Sequence, residues 1–246
     1  MTRTPARVTM WKIWAVTLLF LPVCGLAGAR LAQSAGQDWD HTFSIVALDP
    51  GTGHLGVAVS TARLAVGNRV PFVKAKVGAV ATQANTNPTL AYEALLLLEI
   101  GKTAQEALDG ALGSDAGREE RQLTVIDAKG NKAAFTGTKP DDYKGHIIGK
   151  NCVVAGNILT GPETLTAMVE TFDKTQGTLG DRIMAAMEAG QKAGGDKRGR
   201  ISAVILVATD TLHPYINLRV DNSTDPVAEL RKLYDAYKAA FLAPKP

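Results

Sequence analysis

Thr42–Gln83 reads TFSIVALDPGTGHLGVAVSTARLAVGNRVPFVKAKVGAVATQ, and the fold is decided there. Two apolar runs, Phe43–Leu48 and Leu55–Val59, flank the turn-rich Asp49-Pro50-Gly51-Thr52-Gly53. Short β-branched runs separated by Gly and Pro predict a β-hairpin. A basic strand near Lys74 follows, then a further run, Val77–Thr82. Small residues dominate these strands, which suits sheets packed closely on both faces. A hydroxyl residue, Thr42, opens the first strand directly after a polar stretch.

Upstream, Arg3, Arg7 and Lys12 precede an apolar run, Ile13–Leu26, and then Ala27-Gly28-Ala29. That order is the pattern of a secretory signal peptide, with cleavage expected after Ala29 or after Ala35. The run is short for a membrane span and contains Pro22, so no stable span is expected after cleavage. The organisation expected is a signal over 1–35, a polar linker over 36–41 and a single domain over 42–246. Of 27 basic residues, Arg3, Arg7, Lys12 and Arg30 belong to the leader, which leaves 23 against 24 acidic ones. A mature charge so near neutrality argues against nucleic acid as a partner. Cys24 leaves with the leader, so Cys152 is expected to be a lone buried thiol. The expected location is periplasmic or secreted.

Downstream, Asn87-Pro88 predicts a helix start that leads into the apolar run Leu90–Ile100. Thr103-Ala104-Gln105-Glu106 is a capping-box pattern for a second helix, Ala104–Leu112. Strands are expected at Gln122–Asp127, Ala133–Thr136 and Asn151–Ala155, the last followed by the glycine-bounded segment Gly156–Gly161. Pro162 then opens a helix with Leu165, Met168, Val169 and Phe172 as its apolar stripe. Thr178 caps another, Thr178–Lys192, and strands return at Ala203–Ala208 and Tyr215–Val220. Asp225-Pro226 begins a closing helix with Leu230, Leu233, Tyr234, Tyr237 and Phe241 facing inward. Strands and helix pairs alternating in this order predict an α+β fold, a four-layer αββα sandwich.

Familiar catalytic motifs are absent: the chain has no HExxH, CxxC, GxSxG or Walker-type loop. His54, His146 and His213 have no partner at metal-ligand spacing, so neither a metal nor a cofactor is expected. Gly194–Arg200 sets Asp196, Lys197, Arg198 and Arg200 among three glycines. It is read either as a mobile basic turn or as a substrate contact, in which Arg198 or Arg200 anchors a carboxylate. Asn157 has two readings as well, a left-handed turn residue or an amide pointing into a cleft.

Thr42 is an ordinary strand former unless cleavage makes it the first residue. An α-amino group has a pKa of ~7.7–8.0, so a freed Thr42 nitrogen could act as base for its own hydroxyl, which would attack an amide carbonyl. Lys74 or Lys76 would favour the neutral amine by charge repulsion. Ser44 and Ser60 are weaker nucleophile candidates because neither would carry the free amine.

The segments Thr42–Ala47, Gly78–Ala84, Ala193–Arg200 and Arg219-Val220-Asp221 closely resemble the bacterial family called domain of unknown function 1028. The resemblance runs from Thr42 to about Leu233. That family is similar to the N-terminal-nucleophile (Ntn) hydrolases, which implies the same αββα sandwich and carries Thr42 over as nucleophile. In cytosolic relatives the TFSI-like segment follows the initiator Met. Here Thr42 follows His41, so trimming or self-cleavage at that bond is required. Ile201 stands where relatives tend to have Gln. The leading reading is amide-bond hydrolysis on small amides, acylated amino acids or cell-wall peptides, with backbone N–H groups, assisted by Gln83 or Asn157, stabilising the oxyanion; the family itself supplies no substrate. The alternative is a noncatalytic envelope protein that binds a peptide or cell-wall fragment on the same scaffold. The superfamily's habit of assembling adds a homo-oligomer as a third reading.

Overall fold

The computed structural model describes residues 1, 42–140, 142–211 and 213–242; apart from Met1, the expected signal peptide and linker lie outside them. Hairpin strands β1 (Thr42–Asp49) and β2 (His54–Thr61) pair in register from Thr42↔Thr61 to Asp49↔His54. Next come β3 (Pro71–Lys74), β4 (Gly78–Ala84), β5 (Arg121–Asp127), β6 (Lys132–Thr136), β7 (Tyr143–Ile148), β8 (Cys152–Leu159), β9 (Ser202–Ala208) and β10 (Ile216–Val220). They form a six-stranded sheet, β10-β9-β2-β1-β8-β7, and a four-stranded sheet, β3-β4-β5-β6. Every pairing is antiparallel.

Helices α1 (Pro88–Glu99) and α2 (Ala104–Gly113) cover the smaller sheet. The larger sheet is covered by α3 (Glu163–Lys174), α4 (Leu179–Lys192) and α5 (Pro226–Tyr237). Between the sheets lies a third apolar cluster that includes Val46, Leu48, Leu55, Val57, Ile126 and Val153. Three apolar layers separating four structural layers is the αββα sandwich expected.

The helix starts follow their local chemistry. Asn87 accepts the Thr89 N–H with Pro88 in the first turn, and Thr103 and Thr178 form capping boxes with Glu106 and Asp181. Asp225 differs: its side chain makes no cap bond, although Pro226 still opens the helix.

Three expectations are corrected. Strand β7, which carries His146, is an edge strand where no strand was expected; its burial is patchy, and a bulge between Tyr143 and Gly145 breaks its register. Strand β8 continues through Leu159, so Asn157 belongs to a strand rather than a glycine-bounded turn. On the helices, Leu233 and Phe241 face solvent rather than inward, and the apolar run of α1, continuous enough to suggest burial on several sides, leaves Tyr92, Leu96 and Ile100 as an exposed i, i+4, i+8 stripe.

Candidate functional site

Thr42 opens the central strand of the larger sheet and is fully buried. Its cross-strand partners are Thr61 on β2 and Asn157 on β8. Side chains alternate along a strand. Phe43, Ile45 and Ala47 therefore pack toward the helices, while Val46 and Leu48 pack between the sheets. By the same alternation Thr42 and Ser44 face the inter-sheet space. Gln83 joins them from β4, Gln122 and Thr124 from β5, and Asn157 from β8, all essentially inaccessible to solvent.

The hub of this polar cluster is Gln122, to which the sequence reading gave no role. Its Oε1 accepts from Gln83 Nε2 at 2.9 Å and from Asn157 Nδ2 at 2.7 Å. Its Nε2 donates to the carbonyls of Gly156 at 2.7 Å and Gly145 at 3.2 Å, with Thr136 Oγ1 at 3.1 Å. A polar residue opening a strand of otherwise apolar character (QLTVID) was the available sequence signal. Gln83 and Asn157 are thus brought together, but their amide N–H groups are directed at Gln122 rather than at an oxyanion. Their carbonyl oxygens, and the hydroxyls of Ser44 and Thr124, are buried without a hydrogen-bond partner within the protein. Buried acceptors without protein partners are costly and favour an incoming donor.

Backbone strain gathers at the same end. Ala65 (φ 53), Ala84 (φ 71) and Ile158 (φ 49) all adopt the left-handed region. For a β-branched residue such as Ile158 that conformation is an outlier, at a cost of about 1–3 kcal/mol. Here it turns the end of β8 so that Leu159 bridges to Asp196 and the Ile158 carbonyl accepts the Lys197 N–H.

The Gly194–Arg200 segment is docked at this end. Gly194 (φ 125) sits so close to Thr160 that an added Cβ would lie 2.0 Å from its Oγ1, and the Gly195 N–H donates to Thr164 Oγ1. Asp196 is buried and accepts the Ala62 N–H at 3.1 Å, the Arg198 N–H at 2.9 Å and Arg198 Nη2 at 3.1 Å. It pins the end of β2 to the end of β8, and Arg198 serves as its counter-ion. Arg200 points elsewhere, to the Thr224 carbonyl and the Asp225 carboxylate.

Neither lysine stands beside Thr42. Lys74 pairs with Gly78 at the far end of β4, and its ammonium is held by Glu99 at 2.6 Å. Gly78 and Gln83 are five strand steps apart, roughly 17 Å at strand rise. Lys76 is exposed in the β3–β4 turn. Two arginines, Arg63 and Arg69, follow the end of β2 instead. A cavity of about 620 Å³ begins at Ala62, one residue beyond Thr61, and is lined by Arg63, Arg69, Asn85, Val66, Val70 and Ile201 among others. Burial, and then the nearby Arg198 and Arg69, push the Arg63 guanidinium below its ordinary value; Asp196 works against them. Cys152 has no part in this site: its thiol is buried and pushed up to about 12 by desolvation. Among the described residues no group of three or more His, Cys, Asp or Glu is placed to hold a metal, and no helix is long and apolar enough to cross a membrane.

Fold and site together define an α+β protein with two antiparallel sheets enclosed by helices and a buried polar cluster at the start of the central strand. The chain belongs to the family of unknown function DUF1028, whose pattern it matches over residues 42–230. It is similar to the DUF1028 protein SPO2555 from Silicibacter pomeroyi, with 35% identity and a TM-score of 0.76, covering 80% of this chain and 86% of that one. A slighter likeness, with a TM-score of 0.39 and 11% identity, is to Anbu (ancestral beta-subunit) from Yersinia bercovieri, covering 83% of this chain and 98% of that one. No curated protein matches the chain.

Proposed function

We propose that this protein is an exported amide-bond hydrolase in which Thr42, freed at its nitrogen by removal of everything through His41, is nucleophile and base in one residue. The observation that carries the reading is the orphaned Oδ1 of Asn157, directly cross-strand from Thr42. Opposed side chains on adjacent strands have Cβ atoms about 4.5–5.5 Å apart. A freed α-amino group has N–H donors for that acceptor, which would hold the amine in place beside its own hydroxyl.

The chemistry balances without a cofactor. The amine takes the Thr42 hydroxyl proton as Oγ1 bonds to the substrate carbonyl carbon. It then passes that proton to the leaving nitrogen as the C–N bond breaks. Water cleaves the resulting ester and restores Thr42. Backbone N–H groups at the strand ends would stabilise the oxyanion, since both side-chain amides already donate to Gln122.

The test is the first residue of the exported protein, read by N-terminal sequencing and intact mass, together with turnover of a panel of acylated amino acids and peptide amides. Thr42 is expected to be first. Thr42→Ala is expected to lose at least about a thousandfold in turnover. A mature chain that keeps residues ahead of Thr42, or a Thr42→Ala variant as active as the parent, would overturn the assignment.

A further inference from the structure

The outer side of α1 points to a partner. We propose that the row Tyr92, Leu96 and Ile100, with the groove between α1 and β3, is an isologous docking face on which a second copy of this chain packs across a two-fold axis near Leu96. The inference involves no chemistry at Thr42 and stands whether or not that residue is a nucleophile.

Tyr92 is 59% exposed, Leu96 60% and Ile100, which caps the end of the helix, 73%. Four-residue spacing stacks the three along one side. A single exposed apolar side chain is ordinary, whereas a contiguous row marks an interaction site. The row is also rigid. Leu90, Ala91, Ala94, Leu95 and Leu98 bury the opposite side of α1 against the smaller sheet, and the Tyr92 ring meets Phe72 of β3 edge-on with centroids 4.9 Å apart. Such fixing lowers the ordering cost of association.

Shape and charge both select a copy of the chain as the occupant. Beside the protruding row lies a groove of about 310 Å³, walled by Phe72, Val73 and Leu95 among others, so one face carries a ridge and a recess. Equal four-residue steps on either side of Leu96 let a two-fold copy set Leu96 against Leu96 and Ile100 against Tyr92. The rim carries both signs: Lys74 Nζ meets Glu99 Oε2 at 2.6 Å, and both side chains remain nearly half exposed. Glu99 is three residues from Leu96, about 4.5 Å of helix rise, which keeps this pair close to the axis. Symmetry then lays the second copy's pair alongside in reverse order, each ammonium between two carboxylates. A partner of one sign would be repelled by one member of the pair. Strand addition is disfavoured, because the edge strand β3 opens with Pro71, which has no N–H to offer.

The experiment is sedimentation velocity of the purified wild-type protein over a dilution series, followed by native mass spectrometry of mixed charge variants. The wild type is expected to be a dimer that dissociates on dilution. Leu96→Glu sets two carboxylates against each other at the axis and is expected to weaken association at least about tenfold. Its circular dichroism should match the parent's, since position 96 is exposed. Tyr92→Ala should weaken association in the same direction by a smaller factor. Glu99→Lys and Lys74→Glu should each self-associate less than the wild type, because each gathers like charges at the axis. Mixed together, they should form a heterodimer in preference to either homodimer. An ion pair acting only within one chain predicts no such preference. A monomer at every concentration, a dimer untouched by Leu96→Glu, or statistical mixing of the two charge variants would overturn the proposal.

Discussion

The space between the two sheets has two ends built on the same strands. At one end Val46, Leu48, Leu55 and Ile126 pack against one another with their polar backbone tied into the ladders. At the other, two to four residues along the strands of this layer, Ser44, Gln83, Gln122, Thr124 and Asn157 fill equivalent inward positions. The first arrangement gains from the removal of apolar surface from water. The second gives up that gain and leaves four side-chain acceptors without protein partners. A fold selected for stability alone would have continued the apolar layer. The polar end lies beside the first residue of the central strand, where the proposed hydrolase would draw on its unmet hydrogen-bonding capacity.

Substitutions sharpen this contrast. Ile126→Ala, in the apolar end, should lower unfolding free energy by about 3 kcal/mol through a cavity that the two sheets cannot close. Activity per folded molecule should be unchanged, checked by denaturant melts and turnover on the same sample. Gln122→Leu should cost a similar amount, about 3 kcal/mol, because it leaves the Gly156 carbonyl and the Gln83 and Asn157 amides unpaired while adding apolar area. Its larger effect should be on turnover, since Asn157 loses the bond that fixes its orientation. If Gln122→Leu proved stabilising with turnover intact, the polar end would be packing rather than a site.

The smallest expected effect lies at the rim. Arg121 bonds Asp115 at 2.7 Å and also the carbonyl of Asn85, a residue of the cavity wall. Its guanidinium, ahead of the opposing burial, holds the Asp115 carboxyl below the ordinary aspartate value. A depressed folded-state value means that the stabilisation is fully present above about pH 4 and fades as pH falls through the folded value. Asp115→Asn should therefore flatten the acid limb of a thermal-melt profile while leaving the neutral region nearly parallel to the parent.

Much of the layering was legible because it follows from period and punctuation. The hairpin, the capping residues and the α3 and α4 stripes all rest on local rules. Strand β7 escaped because an edge strand with patchy burial carries little alternation. On α1, the unbroken apolar run concealed which side faces water, and the exposed Tyr92–Leu96–Ile100 stripe emerged only with the sheet in place. The site was legible in part. Gln83 and Asn157 were candidates and do converge, whereas Lys74 and Lys76, attractive for their charge, sit at the wrong end of β4. Arg63, Arg69 and Gln122 carried no motif.

The sequence by itself determined which segments pair and cap, and it singled out a hydroxyl residue at the start of the first strand. Those are properties of neighbours in the chain, fixed by side-chain alternation and local hydrogen bonding. Only the tertiary structure decided what surrounds that residue, because the groups concerned come from β2, β4, β5, β8 and the Gly194–Arg200 loop. Their convergence depends on sheet register and layer stacking, and a single slipped residue in any of those strands would have turned its amide or hydroxyl to the opposite face.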